Sequence, residues 1–189
     1  MIPKTGRSIC YDKSYMSSYV FNTASKNKTE VFQQAAAILL KKDFKFIDID
    51  ITRPWGFFLS VDESQAPQFI KEFYAGVDLA DIKKGLPLRP KFLGIAPGQR
   101  LSWQYHHRRS EIWRTLAGSY DLVTSKTDKE EPPERVNEGE VVSIAQGTRH
   151  RGVGLTGWAL VAEIWQHTDL ANPSNEDDIV RLQDDFGRS

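Results

Sequence analysis

The sequence predicts a mainly β protein, a small antiparallel barrel or sandwich that is preceded by a helical extension. From Lys91 onward, short apolar stretches alternate with turn sequences such as A-P-G-Q, A-G-S-Y, N-E-G-E and A-Q-G-T. Turns that recur at this spacing are typical of sandwiches and small barrels. Before that point, residues 29–42 carry apolar side chains at helical spacing. These two patterns together predict the fold class.

Composition restricts the classes of function. The chain has 189 residues, which fits one domain, and its 25 basic side chains balance 25 acidic ones. A neutral total gives no general attraction to nucleic acid or to an anionic membrane. The longest apolar run, A-A-A-I-L-L at 35–40, is far too short to span a bilayer. A single cysteine, Cys10, and an N-terminus without an apolar signal core favour a cytoplasmic protein.

The N-terminal part is expected to form one helix and one strand. Residues 1–28 are polar with interspersed aromatic side chains, which favours a segment laid across another surface. The segment 29–42 is predicted to be a helix capped by Thr29, with an apolar stripe for the core or for a dimer contact. Residues 44–51 alternate in polarity, as a strand with one buried face does. We therefore expect an extension of residues 1–52, packed on the barrel or on a dimer partner.

The barrel with its C-terminal tail is expected over residues 53–189. Within it, S-Q-A-P-Q-F-I-K-E-F-Y-A at 64–75 predicts a short helix, and the loop that follows has room for a further helical turn. The charged stretch at 125–134 predicts a solvated hairpin loop. The last residues predict either a short helix or a tail that folds back on the barrel.

Four side chains that are far apart in sequence can share one metal ion. On a strand, Gln104, His106 and Arg108 lie on one face, and a hairpin would bring Glu111 back beside His106. His150 follows a second glycine-rich turn. Two imidazoles, one carboxylate and one amide oxygen suit zinc, iron, manganese or nickel. A neutral amide ligand is unusual for structural zinc and leaves the ion strongly Lewis acidic.

A histidine beside aromatic side chains is more often a hydrogen-bonded core residue than a ligand. We expect His107, on the opposite strand face, to be such a core residue. Three of the chain's four histidines nevertheless fall in these two segments. Their spacing relative to the surrounding glycines favours a metal site.

These two segments resemble the two motifs of the cupin superfamily, in which an antiparallel β-barrel, a jelly roll, holds a metal at its centre. Glutamine at position 104, where most cupins have histidine, is similar to the phosphomannose isomerase branch. R-P-W-G at 53–56, the segment 97–113 and the tail 176–188 all resemble the type II mannose-6-phosphate isomerase domain. That domain also forms the C-terminal part of bifunctional isomerase/guanylyltransferase proteins.

The resemblance implies a metal-dependent aldose–ketose isomerase that interconverts mannose 6-phosphate and fructose 6-phosphate. It also implies a homodimer and a divalent cation, with zinc first and iron, manganese, nickel or cobalt as alternatives. The positions that match the family's metal ligands are Gln104, His106, Glu111 and His150.

A phosphorylated sugar needs cations for its phosphate and a group that moves a proton. The candidate cations near the ligand segments are Arg108, Arg109, Arg149 and Arg151, and those further off are Arg53, Lys91 and Arg100. Arg108 is the preferred one, with a catalytic role, because it is expected on the ligand face. Glu163 lies inside an apolar strand, where burial raises a carboxyl pKa, so it is the candidate base. Its alternative role is a salt bridge or a hydrogen bond to a ligating histidine.

Other functions stay open at the level of sequence. A non-catalytic sugar-binding cupin is favoured by the long extension and by Ile112, where the family usually has histidine. A cupin isomerase of another sugar is a further alternative. A dioxygenase is disfavoured, because oxygen chemistry generally uses sites richer in imidazole.

Overall fold

The computed structural model of the chain describes residues 21–76 and 86–188. Most of the aromatic N-terminal segment, including Cys10, and the expected helical turn at 77–85 lie outside the described residues. Within them, no helix is long and apolar enough to cross a membrane.

The described residues form two α-helices and eleven strands. In chain order they are α1 (Lys28–Leu40), β1 (Phe46–Asp50), β2 (Gly56–Val61), α2 (Ala66–Phe73), β3 (Leu88–Ile95), β4 (Trp103–His106), β5 (Arg109–Ala117), β6 (Ser119–Ser125), β7 (Glu134–Asn137), β8 (Val141–Ile144), β9 (Arg149–Gly154), β10 (Ala159–His167) and β11 (Ile179–Gln183). This order confirms the predicted mainly β class.

The strands form two antiparallel sheets that face each other. The six-stranded sheet has the order β1-β2-β3-β10-β5-β8, and the five-stranded sheet has the order β11-β4-β9-β6-β7. Apolar side chains from both sheets fill the space between them. Leu93, Trp113 and Val161 come from the first sheet, and Leu122 and Val136 come from the second. This interior, at the end where β4, β5 and β9 approach each other, holds the candidate site.

The two helices cover the outer face of the six-stranded sheet. Val31 and Leu39 of α1 and Phe69 of α2 pack in one cluster with sheet residues such as Phe57 and Phe92. The sheet is therefore buried on both faces, which explains why every residue of β2 and β10 is buried. Because β1 and β2 pair as a hairpin, the expected boundary after residue 52 falls inside one structural unit.

Two details of the N-terminal region differ from expectation. Helix α1 is capped by Asn27 rather than by Thr29, because the Asn27 side chain accepts hydrogen bonds from the backbone N–H groups of Thr29 and Glu30. Strand β1 lies at the edge of its sheet and is largely exposed, so only its ends, among them Phe46, which packs against the core, are partly buried. Ile47 and Ile49 are about half exposed there.

The loop between β6 and β7 is more than a solvated hairpin. The carbonyl of Asp128 accepts a hydrogen bond from the Trp103 indole at 2.8 Å, and the Asp128 carboxylate pairs with Arg149. The loop therefore covers the outer face of the five-stranded sheet. The C-terminal tail folds back, as one of the two expectations had it, and β11 pairs with β4.

Candidate metal centre

Three buried side chains meet between the two sheets. Nε2 of His106, on β4, lies 3.1 Å from one oxygen of Glu111, and Nε2 of His150, on β9, lies 3.2 Å from the other oxygen. Glu111 itself comes from β5 of the opposite sheet. The potential ligand atoms all lie within 4.8 Å of one another. The structure thus brings together three of the four predicted ligands around a point that a single cation could occupy.

The route that brings Glu111 to His106 is not the predicted hairpin. Strands β4 and β5 belong to different sheets, so the chain crosses from one sheet to the other at residues 107–108. The strand alternation that was expected to carry Arg108 onto the ligand face ends at His106. The prediction of a core role for His107 is also wrong, because His107 is exposed and contacts Tyr105 edge to face at 5.1 Å.

Hydrogen bonds orient both imidazoles towards Glu111. Nδ1 of His150 lies 2.9 Å from the Thr148 carbonyl, and Nδ1 of His106 lies 3.4 Å from the Asp178 carbonyl. A carbonyl only accepts, so Nδ1 carries the proton and Nε2 presents its lone pair. Nε2 of His150 is buried and has no hydrogen-bond partner. A buried acceptor left in this way, beside an imidazole and a carboxylate, fits a bound divalent metal.

The charge states also suit metal binding. Burial lowers the pKa of His106 to about 4, so its ring is neutral at pH 7. Burial alone would raise the pKa of Glu111, but His106, His150 and Arg109 outweigh it and hold that pKa well below the usual range. Glu111 is therefore ionised, as a metal-binding carboxylate must be.

Arg109 lies directly beside the three donors. Its Nε donates to Glu111 at 2.8 Å, one terminal nitrogen lies 3.1 Å from Nε2 of His106, and the other donates to Ser174 at 2.9 Å. The guanidinium carbon stacks 3.4 Å from the ring centroid of Trp165. A metal ion at this centre would therefore bind a carboxylate, Glu111, that also accepts a hydrogen bond from the positively charged Arg109.

Gln104, the fourth predicted ligand, lies next to the three donors. Its backbone is in register opposite His150, and its side-chain oxygen accepts a hydrogen bond from Ser102 at 2.6 Å. Trp113 donates from its indole to Glu111 at 3.0 Å. Strand alternation predicts that Trp113 and Glu111 share one face, but it assigned Trp113 no role in the site.

A cleft of about 490 Å³ of empty space adjoins this centre. Its polar lining includes Lys91 and Glu163, which face each other across β3 and β10. Lys91 pairs with Glu176 at 2.6 Å and lies 3.5 Å from the centroid of Trp165. Burial and the nearby Glu111 carboxylate raise the pKa of Glu163 to about 8. Glu163 can therefore carry a proton near neutral pH.

Two further predicted cations, Arg108 and Arg151, do not line the cleft. Arg108 turns outward to Asp178, at 3.3 Å, and to two asparagine side chains. Arg151 is buried on the other face of its strand, where it pairs with Glu130 at 3.0 Å and donates to the Gln183 carbonyl. Neighbouring side chains on a strand face opposite sides, so Arg151 cannot share the face of His150.

Three arginines that do line the cleft are Arg53, Arg181 and Arg188. Arg53 was expected as a more distant candidate for the phosphate, whereas Arg181 and Arg188 were not among the predicted substrate contacts. All three come from R-P-W-G and from the tail, the sequence segments singled out for their resemblance. A prediction that R-P-W-G and the tail meet at one cleft would have identified these arginines.

Comparison with known proteins assigns the chain to a family. A family model described as mannose-6-phosphate isomerase C-terminal matches residues 74–184, which is more than half of the chain. The xanthan biosynthesis protein XanB of Xanthomonas campestris is 28% identical over 141 residues, which are 74% of this chain and 24% of that protein. The mannose-1-phosphate guanylyltransferase RfbM of Salmonella typhimurium is 35% identical over 97 residues, 50% of this chain and 18% of that protein. The chain thus spans a quarter or less of the length of these relatives.

Solved structures support the fold. Oxalate decarboxylase from Bacillus subtilis at pH 4.6 superposes with a TM-score of 0.53 at 16% identity, over 74% of this chain and 31% of that chain. A point mutant of the same enzyme also gives a TM-score of 0.53, over 74% of this chain and 32% of that chain. The predicted cupin-type jelly roll is confirmed.

Proposed function

The chain belongs to the mannose-6-phosphate isomerase C-terminal family, and from that premise we propose that it is a metal-dependent aldose–ketose isomerase. The proposed reaction interconverts mannose 6-phosphate and fructose 6-phosphate. The observation that carries the proposal is the buried cluster of His106, Glu111 and His150 beside a cleft with a proton-carrying carboxyl group.

The residues proposed to hold the cation are Gln104, His106, Glu111 and His150. Zinc is the first choice, because two imidazoles with oxygen donors suit a borderline divalent ion. When bound, the cation supplies Lewis acidity for the carbonyl and hydroxyl oxygens of the sugar. The backbone carbonyls of Thr148 and Asp178 keep the two imidazoles oriented for this role.

Glu163 is the proposed base. Aldose–ketose isomerisation moves a proton between C1 and C2, so one group must accept a proton and then return it. A carboxyl group with a pKa near 8 does both close to neutral pH, and such groups typically contribute about 10²–10⁴-fold to the rate. The position of Glu163 in the lining of the cleft, opposite Lys91, supports this role.

The proposed substrate contacts need revision. Lys91 lines the cleft and Arg109 lies beside the metal-binding cluster, so both are retained as candidates for sugar oxygens. Arg108 and Arg151 have no role in the proposal, because their guanidinium groups make contacts outside the cleft.

An isomerase assay tests the proposal. Zinc-loaded protein should form ketose from mannose 6-phosphate, lose that activity in chelator and regain it when zinc is restored. Glu163→Gln should lose at least about 100-fold in kcat while retaining its metal, since it removes only the base. Metal-loaded protein that turns over neither mannose 6-phosphate nor another aldose would contradict the proposal.

A sugar-binding cupin without turnover is the second candidate. It is favoured by Arg109, whose guanidinium contacts both His106 and Glu111 and would balance the Glu111 charge without a metal. Ile112 supports it less than the sequence indicated. Its side chain packs in the outer core beneath the helices, so it removes no group from the cleft. A cupin isomerase of another sugar is distinguished by assaying other aldoses and aldose phosphates.

A homodimer and a cytoplasmic location stay predictions. The described edge strand β1 exposes Ile47 and Ile49, which is compatible with a partner at that edge.

A further inference from the structure

We propose that Arg53, Arg181 and Arg188 form the phosphate-binding site of the cleft that adjoins the metal-binding cluster. The inference rests on the proposed function for the identity of the substrate. It goes beyond that function by assigning the phosphate to three particular side chains, of which only Arg53 was among the cations selected from the sequence.

The three arginines come from separate parts of the fold. Arg53 precedes β2 of the six-stranded sheet, Arg181 lies on β11 of the five-stranded sheet, and Arg188 follows β11 in the tail. All three nevertheless line one cleft, together with Gln104. Folding of the tail back onto β4 is what brings the two sheets' cations together.

The strand register fixes the position of Arg181. It lies directly opposite Gln104 in the β11–β4 pair, and Gln104 in turn lies opposite His150 in the β4–β9 pair. Side chains of directly opposed residues point to the same face of a sheet. With strands spaced by about 4.8 Å, the backbone of Arg181 lies roughly 10 Å from that of His150. A six-carbon sugar phosphate can span that separation.

The three guanidinium groups and Lys91 make this part of the cleft rich in positive charge. Arg53 pairs with Asp50 at 2.8 Å and Arg188 pairs with Asp184. Burial, followed by the charges of Arg188 and Arg53, lowers the pKa of Arg181, and Asp184 and Glu176 oppose that shift. Lys91 is paired with Glu176. A doubly charged phosphate would be attracted to these neighbouring cations.

A guanidinium group presents parallel N–H donors that match two oxygens of a phosphate or of a carboxylate. The proposed substrate is what selects phosphate here. Partial burial at the cleft strengthens such charge-assisted contacts relative to fully exposed ones. The ligand class assigned to this site is therefore the phosphate monoester of a sugar, with its carbon chain directed towards Gln104.

Binding measurements on the zinc-loaded chain test the assignment independently of turnover. Calorimetric titrations would use mannose 6-phosphate, free mannose and inorganic phosphate. Arg53→Gln and Arg181→Gln are each expected to weaken mannose 6-phosphate and phosphate by at least about tenfold, with mannose unchanged. Arg135→Gln, which removes an exposed arginine from the far hairpin, should bind all three as the wild type does.

The two proposals fail separately. Wild-type protein without affinity for either phosphate, or variants with unchanged affinity, would overturn the phosphate site even if the protein is an isomerase. Arginine-dependent phosphate binding without any turnover would support the phosphate site and overturn the isomerase. If thermal unfolding shows that Arg181→Gln is not folded, Arg53→Gln decides.

Discussion

Glu163 shows how much of the site depends on the surroundings of one side chain. A glutamate in water has a pKa near 4.5, whereas burial and the neighbouring Glu111 raise the pKa of Glu163 to about 8. Burial also lowers the pKa of His106, so that its ring is neutral. Lys91 and Trp113, which lie opposite Glu163 on the two neighbouring strands, hold Glu163 in the cleft. The protonation states of Glu163 and His106 therefore depend on where the side chains lie in the fold. The sequence indicates the burial of Glu163 only because the surrounding strand is apolar.

The raised pKa of Glu163 predicts a pH-dependent stability in metal-free protein. Between pH 4.5 and 8, the native state keeps a proton that the unfolded chain has released, so the free energy of unfolding falls as pH rises. Glu163→Gln cannot titrate and should gain on the order of 2 kcal/mol relative to the wild type between pH 5 and pH 7. Urea unfolding of both proteins in chelator measures this difference, and a difference that is constant with pH would contradict the assigned pKa.

At the scale of elements, the first turn of α1 shows which of two residues, Asn27 or Thr29, caps the helix. The side chain of Asn27 accepts from two backbone N–H groups, whereas Thr29 lies exposed in the first turn. Asn27→Ala should lower the free energy of unfolding by about 1 kcal/mol, because it leaves those N–H groups without a partner in the protein. The matched Thr29→Ala variant should cost nothing, since alanine favours helix. Chemical denaturation measures both, and the reverse order of the two effects would return the cap to Thr29.

The tail is held to the sheet crossing by Asp178. Its carboxylate accepts the backbone N–H groups of His107 and Arg108 at 3.1 and 3.0 Å, and the Ser174 hydroxyl at 2.6 Å. Asp178→Ala should lower stability by roughly 2–3 kcal/mol, because it leaves buried donors unsatisfied.

Hydrogen exchange tests the same contact locally. The amides of His107 and Arg108 should lose protection in Asp178→Ala but keep it in Asp177→Ala, whose side chain is exposed. Equal protection in the two variants would mean that the tail is held elsewhere.

At the scale of the whole molecule, features that depend on local sequence patterns were predicted, and features that depend on long-range strand pairing were not. Strand alternation was enough to place Gln104 and His106 on one face, and turn spacing was enough for the β class. The sheet crossing at 107–108 was not predictable, because a two-residue turn is equally typical of a hairpin. Arg108 was misplaced for that reason. The positions of Arg181 and Arg188 depend on β11 pairing with β4 across more than 70 residues, and no local pattern reports such a contact.

The proposed chemistry depends on one cation held between the two sheets. The metal content of each chain after zinc loading and exhaustive dialysis measures that cation directly. We expect about one zinc per wild-type chain, and the same value for His107→Ala, because His107 is exposed and outside the centre. His150→Ala and Glu111→Gln should each retain almost none. A wild-type chain without zinc, or variants that bind it as the wild type does, would show that no such metal site exists.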